Sequence, residues 1–264
     1  MIIYKSESEI QAIRKANQVV ARILSELGGM VRPGIATLEL DRYAEKRTRE
    51  LDAIPAFKGY RGFPASLCTS LNEEIVHGIP SNRRLKEGDI LSIDFGAILD
   101  GFYGDAAVTF PVGKITPAAE KLIAAAEESF FKGIEQAVPG KRIGDISAAV
   151  QAHVESRGFS VIRNFVGHGI GFSLHEEPQV PNFGLAGHGP KIKPGMVLAI
   201  EPMIAAGDWD VEILADNWTA VTRDRSLSSH HEHTIAVTQD GPQILSSLND
   251  TKGGRNALKE PLHA

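Results

Sequence analysis

The stretch DILSIDFGAILDGFYGDAAVTF, residues 89–110, predicts strands at 89–95 and 101–110 joined by a tight turn. Asp100-Gly101 between them is a strong hairpin signal. If these two residues form the loop, facing residue numbers sum to 201, and Asp94 faces Ala107. Asp105 is then a diagonal neighbour of Asp94, about 7–8 Å away on the same face, where two carboxylates can bracket metal ions about 3.5–4 Å apart. A one-residue slip would put the two acids on opposite faces, and a solvated polar face is the alternative for this pair alone.

Similar acidic or imidazole donors recur far along the chain in apolar or glycine-rich runs that contain no Lys or Arg. A buried carboxylate needs a compensating charge, from a basic partner or from a metal. Four carboxylates and one imidazole match the charge and the hard-ligand chemistry of two divalent cations. The sequence therefore predicts a dinuclear metal hydrolase with the donors Asp94, Asp105, His168, Glu201 and Glu232.

The composition favours a cytoplasmic α/β enzyme. The chain has 264 residues, 42% hydrophobic, with a net charge of −5 and one cysteine, Cys68. The acidic balance disfavours a broad nucleic-acid-binding face, and the lone cysteine excludes an internal disulfide and fits a reducing compartment. The start, MIIYKSESEI, lacks the apolar core of a signal peptide, and no apolar run approaches the roughly 18 residues of a membrane span. We therefore expect no membrane partner.

The helix pattern suggests an internal duplication. Amphipathic periodicity and capping signals predict helices at 6–27, 37–51 and 116–138, and a fourth through Ile146, Val150 and Val154 that ends at Gly158. The second helix of each pair follows a Pro-Gly turn. Pro33-Gly34 lies seven residues before Leu40, as Pro139-Gly140 does before Ile146. Further strands are predicted at 160–166, 196–201, 211–215 and 232–238. We predict one catalytic domain over 1–248 and a flexible polar tail over 249–264.

Two short motifs of this sequence look like known phosphate-binding and zinc-binding motifs but lack their spacing. Gly167-His168-Gly169-Ile170-Gly171 lacks the spacing of a phosphate loop, and its glycines would let backbone pack closely around a ligand imidazole. His175-Glu176-Glu177-Pro178 has no second histidine four residues on, which excludes single-zinc HExxH peptidase chemistry. In an extended segment, alternation puts His231 and His233 on the face opposite His230 and Glu232.

Together these runs resemble the type I methionine aminopeptidases of the pita-bread peptidase superfamily, from about Ser6 to Leu248. The resemblance implies an α/β (α+β) pita-bread fold, with two pseudo-symmetric αβ halves around a curved antiparallel sheet. It also implies metal-dependent removal of the initiator methionine before a small second residue. The matching motifs are NEEIVHGIP (72–80), Ile93-Asp94, Gly104-Asp105, GHGIG (167–171), HEEP (175–178), IEPM (200–203) and Glu232-His233-Thr234.

The resemblance also assigns roles to individual residues. Asp94 would chelate one metal, His168 and Glu201 the other, and Asp105 and Glu232 would bridge them; the ions would be cobalt, manganese, iron or zinc. Glu201 would carry the proton, and His77 and His175 would hydrogen-bond the scissile peptide. The methionine pocket would be formed by Tyr60, Phe63, Cys68, Leu174 and Trp218. The implied partners are nascent polypeptide N termini at the ribosome, with no nucleic-acid specificity, and the implied state is a monomer.

Three positions depart from the commonest family pattern, none of them an expected ligand. His230 stands where glutamine is frequent, Leu174 where an aromatic is frequent and Phe63 where tyrosine is common. Two alternatives keep the same fold: an Xaa-Pro aminopeptidase, whose relatives usually carry an extra N-terminal domain, and a non-catalytic binding protein that has lost a metal ligand. Only about 90 residues precede Asp94 and all five ligands are present, so the peptidase with methionine specificity is favoured.

Overall fold

The computed structural model of the chain describes residues 1–248. The tail predicted over 249–264 lies outside the described residues. Four α-helices occur within the described range: α1 (Glu7–Gly28), α2 (Thr37–Glu50), α3 (Pro117–Ile134) and α4 (Ile143–Ser156). None of these helices is both long and apolar enough to cross a membrane.

The strands of the same range are β1 (Ile54–Pro55), β2 (Cys68–Leu71), β3 (Glu74–Val76), β4 (Ile90–Leu99), β5 (Phe102–Pro111), β6 (Ser160–Val161), β7 (Gly167–Gly169), β8 (Glu176–Val180), β9 (Val197–Ile200), β10 (Met203–Ala205), β11 (Val211–Ile213), β12 (Ala220–Thr222), β13 (Ser228–His230), β14 (Glu232–Thr238) and β15 (Gly241–Ile244). A short 3₁₀ turn, Tyr60–Gly62, precedes β2.

The predicted hairpin is confirmed in its register. Leu99 faces Phe102 and Asp94 faces Ala107 across β4 and β5. Asp100 and Gly101 both adopt the positive φ of a tight hairpin turn, at 51° and 81°. The first strand, β4, is longer than the predicted 89–95, because its pairing with β5 continues through Gly96 to Leu99.

The first three helices begin within one residue of their predicted starts, and α1 has the predicted capping box of Ser6 and Glu9. The predicted end of α3 at Val138 was wrong. After Ile134 the amides of Gln136 and Ala137 bond three residues back instead of four, which tightens the chain into turns before Pro139. The strand predicted at 160–166 was also too long, because its partner β10 pairs only with Ser160 and Val161.

One antiparallel sheet joins the two halves of the chain in the curved αβ architecture that the resemblance implied. Its strand order is β1-β4-β5-β14-β9-β7-β8, with β2 beside β4 and β15 beside β14. The duplication is visible in matching turns. Gly34 and Gly140 have φ of 92° and 94°, and their amides bond the carbonyls of Leu85 and Ile192.

Each half packs its helix pair on one side of this sheet. Apolar residues at helical spacing on α1 and α2 meet β4 and β5, as in the buried cluster of Val20, Ile23, Leu27, Leu40, Leu91, Ile93 and Phe95. The second cluster joins α3 and α4 to β9 and β14 through Leu122, Phe130, Ile146, Val150, Leu198, Ile200 and Ile235. Burial of these side chains, each worth about 1.5–3 kcal/mol, stabilises the sheet that holds the site.

The contact between α1 and β5 is unusually close. A Cβ at Gly104 would lie 2.7 Å from the backbone nitrogen of Asn17 and 2.8 Å from the carbonyl carbon of Ala16. The side-chain Oδ1 of Asn17 accepts the amide of Asp105 at 3.3 Å, and its Nδ2 donates to the Ile13 carbonyl at 3.0 Å. Gly104 therefore sets the distance of α1 from the strand that carries Asp105.

We expect Gly104→Ala to lower the free energy of unfolding by about 1–3 kcal/mol, because the new methyl group forces α1 away from β5. Urea unfolding measures the loss. Gly29→Ala is the matched control, since its Cβ would meet only the Glu26 carbonyl at 3.5 Å. That variant should change stability by less than about 1 kcal/mol. Equal stability of the two variants would contradict the close packing.

Candidate metal centre and adjoining pocket

Five neighbouring strands, β4, β5, β14, β9 and β7, each bring one of the five predicted donors to the same place. Asp94 and Asp105 come from the hairpin, and Glu232 faces Ala107 from the next strand. Glu201 follows the last residue of β9, and His168 faces Ala199 of that strand. The register of the sheet therefore assembles residues that lie far apart in sequence.

The donor atoms are close enough to share ions. Ligand atoms of Asp105, His168 and Glu232 all lie within 4.8 Å of one another. The His168 Nε2 atom lies 3.4 Å from Glu201 Oε1 and 4.0 Å from Asp105 Oδ2. Two donors each about 2.0–2.2 Å from one metal lie at most about 4.4 Å apart, so this spacing fits shared coordination.

His168 is held in the tautomer that a metal ligand needs. Its Nδ1–H donates to the Gly169 carbonyl at 2.9 Å, so Nε2 keeps its lone pair facing the carboxylates. A Cβ at Gly169 would come within 2.4 Å of the Glu177 carbonyl oxygen, so glycine permits the close pairing of β7 and β8. Burial lowers the pKa of His168 to about 4, which keeps the imidazole neutral at pH 7.

The carboxylates carry unusual pKa values and unsatisfied atoms. Burial raises the pKa of Asp94 to about 7. Burial first, and then repulsion from the neighbouring acids, raises the pKa of Asp105, Glu201 and Glu232 well above the ordinary range. Buried oxygens of Asp94, Asp105 and Glu232 have no hydrogen-bond partner within residues 1–248. Hard divalent cations are the partners that such oxygens fit, so the donor set suits a metal site.

Two further predicted histidines, His77 and His175, lie beside the carboxylates. The His175 ring lies 4.2 Å from the His168 ring, tilted by 40° to it, and its Nδ1 lies 3.0 Å from the Tyr60 hydroxyl. Burial first, then the neighbouring His168, lowers the pKa of His175 to about 3, so the ring is neutral at pH 7. His77 has a left-handed backbone, φ 62°, an uncommon conformation that is often found at functional sites.

All twelve predicted site residues line one cavity of about 190 Å³. Its apolar side is made by Phe63, Cys68, Leu174 and Trp218, with the Phe63 and Trp218 rings edge to face at 5.1 Å. A cavity of this volume with an apolar side can take one medium-sized side chain. Val76, Phe165 and Met203 also line the cavity and were missed, because nothing in the sequence separates them from ordinary core residues.

The histidine-rich segment divides as predicted between two faces. The His231 and His233 rings lie 5.6 and 5.1 Å from the Phe130 ring, tilted against it, on the side of the helices. His230 points into the cavity instead, with its Nε2 3.7 Å from Glu201 and 3.9 Å from Glu232. The family pattern places His230 outside the expected ligand set, yet the structure groups it with Glu201 and Glu232 as possible ligands.

An antiparallel αβ scaffold with a buried cluster of acids and imidazole beside a small apolar cavity defines a metal-dependent hydrolase. The sequence profile described as Metallopeptidase family M24 matches residues 11–239, so the chain belongs to this family. A methionine aminopeptidase from Clostridium perfringens is 55% identical over 248 residues, covering 94% of this chain and 100% of that protein. The crystal structure of methionine aminopeptidase from Thermotoga maritima matches with a TM-score of 0.92 and 46% identity, covering 94% of this chain and 100% of that one.

The Xaa-Pro alternative receives only fold-level support. The prolidase from Pyrococcus horikoshii matches with a TM-score of 0.74, at 22% identity and over 64% of that chain. Identity at this level shows a common fold and nothing about specificity. The non-catalytic alternative is disfavoured by membership of a metallopeptidase family with all five donors brought together.

The raised carboxyl pKa values predict how the metal-free chain responds to alkali. These groups hold protons when folded that they release when unfolded, so their stabilisation is complete at low pH and is lost as pH rises through the folded pKa values. Asp94, at about 7, has lost most of its contribution by pH 7, so the further loss above pH 7 comes from Asp105, Glu201 and Glu232, whose pKa values are raised well above the ordinary range. The buried histidines change the pH dependence of stability only below about pH 6.5, because there unfolding lets them take up protons. They therefore do not affect the pH dependence above pH 7. One retained proton corresponds to about 1.4 kcal/mol per pH unit.

We therefore expect the Tm of the metal-free protein to fall by about 4–8 °C between pH 7 and 8.5, from a loss of about 2 kcal/mol. Differential scanning fluorimetry of chelated and metal-loaded samples measures this. The metal-loaded protein should change much less, because bound cations stabilise the ionised carboxylates. A metal-free Tm that does not vary over this range would contradict the raised pKa values.

Proposed function

We propose that this chain is a methionine aminopeptidase, which uses divalent metal to remove the initiator methionine from proteins and peptides with a small second residue. The observation that carries the proposal is the position of the acid cluster at one side of a cavity sized for one apolar side chain. A peptide whose first side chain enters the apolar side would bring its first peptide bond to the donors. The two relatives described above, each of which covers 94% of this chain, are named methionine aminopeptidases.

We propose two metal ions, held by Asp94 on one side, by His168 and Glu201 on the other, and by Asp105 and Glu232 between them. The close grouping of these donors and their unsatisfied buried oxygens support this assignment. When bound, the ions would supply Lewis acidity, which acidifies a water molecule and polarises a peptide carbonyl. Cobalt, manganese, iron and zinc all suit this mixed oxygen and nitrogen set.

Three residues of the chain would then handle the protons. Glu201 is the proposed base, taking a proton from the attacking water and delivering it to the leaving amine. Its backbone is fixed by Asn182, whose Nδ2 donates to the Glu201 carbonyl at 2.9 Å. If the Tyr60 hydroxyl donates to Nδ1 of His175, the imidazole proton lies on Nε2, where it can stabilise the developing oxyanion. His77 would hydrogen-bond the same peptide.

The methionine side chain would bind among Tyr60, Phe63, Cys68, Leu174 and Trp218. Burial, and then the charges of the nearby acids, raise the pKa of the Cys68 thiol, so the residue acts as a small neutral contact and not as a nucleophile. Met203 extends the same wall and adds a polarisable sulfur.

We further propose that the substrates are nascent polypeptide N termini at the ribosome, and that the enzyme acts as a monomer in the cytoplasm. The single cysteine supports a reducing compartment, and the net charge of −5 argues against nucleic-acid recognition.

Cleavage of Met-Ala-Ser tests the proposal directly. We expect hydrolysis after methionine, its loss in EDTA and its recovery with manganese or cobalt. Met-Ile-Ser is the matched control and should be cleaved poorly, because a β-branched second residue is bulky and stiff near the scissile bond. Product release is followed by chromatography. Full activity in protein shown by elemental analysis to be metal-free would exclude the metal mechanism.

Substitutions should separate the proposed base from the proposed oxyanion donor. We expect Glu201→Gln to lower kcat by about 10²–10⁴-fold and to weaken metal binding, because it removes both a base and a charged ligand. His175→Ala should lower kcat by about 10²–10³-fold with unchanged metal content. Steady-state kinetics and elemental analysis measure both quantities. A metal-depleted His175→Ala protein would show that His175 belongs to the ligand set.

A further inference from the structure

His230 is a buried imidazole that lies beside the five expected ligands but does not belong to that set. Its exposure is 1%, and neither ring nitrogen has a hydrogen-bond partner in residues 1–248. The backbone is fixed from both sides by one hydroxyl, since Thr109 Oγ1 accepts the His230 amide at 3.1 Å and donates to the His230 carbonyl at 2.8 Å. A buried imidazole whose backbone is fixed and whose ring nitrogens lack hydrogen-bond partners is costly unless something else binds it.

The distances around His230 suit a shared ion better than a hydrogen bond. Its Nε2 lies 3.7 Å from Glu201 Oε2 and 3.9 Å from Glu232 Oε2, beyond the roughly 3.2 Å limit of a good N–H···O bond. Donors about 2.0–2.2 Å from one metal lie about 3–4.4 Å apart, which includes both separations. Ligand atoms of Glu201, His230 and Glu232 lie within 4.8 Å of one another.

Glu201 therefore lies between two imidazoles. Its Oε1 is 3.4 Å from His168 Nε2, and its Oε2 faces His230. The two rings come from different strands, β7 and β13, and reach the same carboxylate from opposite sides.

We propose that His230 is a sixth protein ligand, which binds through Nε2 to the metal ion shared by Glu201 and Glu232. The inference rests on the metal centre of the proposed function and adds a second nitrogen donor to it. Imidazole favours cobalt, nickel and zinc over manganese compared with an all-oxygen set. The extra ring therefore shifts the metal preference of this chain away from manganese.

The number of bound imidazoles decides the proposal. Full-length protein labelled with ¹⁵N-histidine is stripped of metal and reloaded with Co²⁺, and its hyperfine-shifted exchangeable imidazole N–H resonances are counted by NMR. We expect two such resonances, from His168 and His230. A single resonance in the unsubstituted protein would overturn the proposal and would leave His230 as a neighbour of Glu201 that does not touch the metal.

Two variants assign the second resonance. His230→Gln should show one resonance and should lose about tenfold in Co²⁺ affinity, measured by calorimetry, with a smaller loss for Mn²⁺. His231→Gln is the matched control in the same segment, because its ring lies on the opposite face beside Phe130, and it should keep both resonances. Two resonances that persist in His230→Gln would also overturn the proposal. If that variant fails to fold, the count in the unsubstituted protein remains decisive.

This test separates the ligand from the function. The resonances report coordination whether or not any peptide is cleaved, so a chain that binds Co²⁺ through two imidazoles but leaves Met-Ala-Ser intact would contradict only the proposed activity. A chain that cleaves the peptide but shows one imidazole would contradict only the sixth ligand.

Discussion

The structure depends on one electrostatic constraint, the burial of four carboxylates in one cluster. Within residues 1–248 these carboxylates form ion pairs only with the imidazoles of His168 and His230. Without another cation such a cluster retains protons, which is why the pKa of Asp94 rises to about 7 and those of its neighbours rise further. Divalent cations offset the repulsion and the burial together. The same property that makes the fold costly in the absence of metal makes it selective for highly charged ions.

Meeting this constraint requires a sheet whose register is rigid. One-residue slippage would turn any donor to the opposite face, so each strand is held by contacts beyond the ladder itself. Thr234 Oγ1 donates to the Asp105 carbonyl at 2.8 Å and so links β14 to β5. Asn17 accepts the Asp105 amide from α1, and the glycine at 104 allows that helix to come close enough. The helices therefore stabilise the position of the ligands as well as the core.

The sequence predicts the parts of this arrangement that depend on local rules. Asp100-Gly101 determines the hairpin register, so counting residues outward from this turn places Asp94 and Asp105 on the same face of the hairpin. The alternation of side chains along an extended segment places His230 on the face opposite His231 and His233. The order of strands did not follow, because β14 lies between β5 and β9 through contacts more than thirty residues apart in sequence. The short pairing of β6 was missed for the same reason, since its length is set by β10. His230 was missed as a possible ligand because the family pattern gives only the sequence positions of the common ligands. It does not give the distances between the side-chain atoms of this particular chain.

Non-local contacts also place the loop that carries His175. Glu176, directly after it, accepts the amides of Phe172 and Ser173 at 2.7 and 3.1 Å, and forms a buried ion pair with Lys5. Lys5 in turn donates its amide to the Gly195 carbonyl at 2.7 Å, just before β9. A buried pair of this kind adds little net stability, but removing one partner leaves a charge that is costly to keep. The residues ahead of α1 therefore restrict where His175 can lie, and a segment with no donor of its own takes part in forming the site.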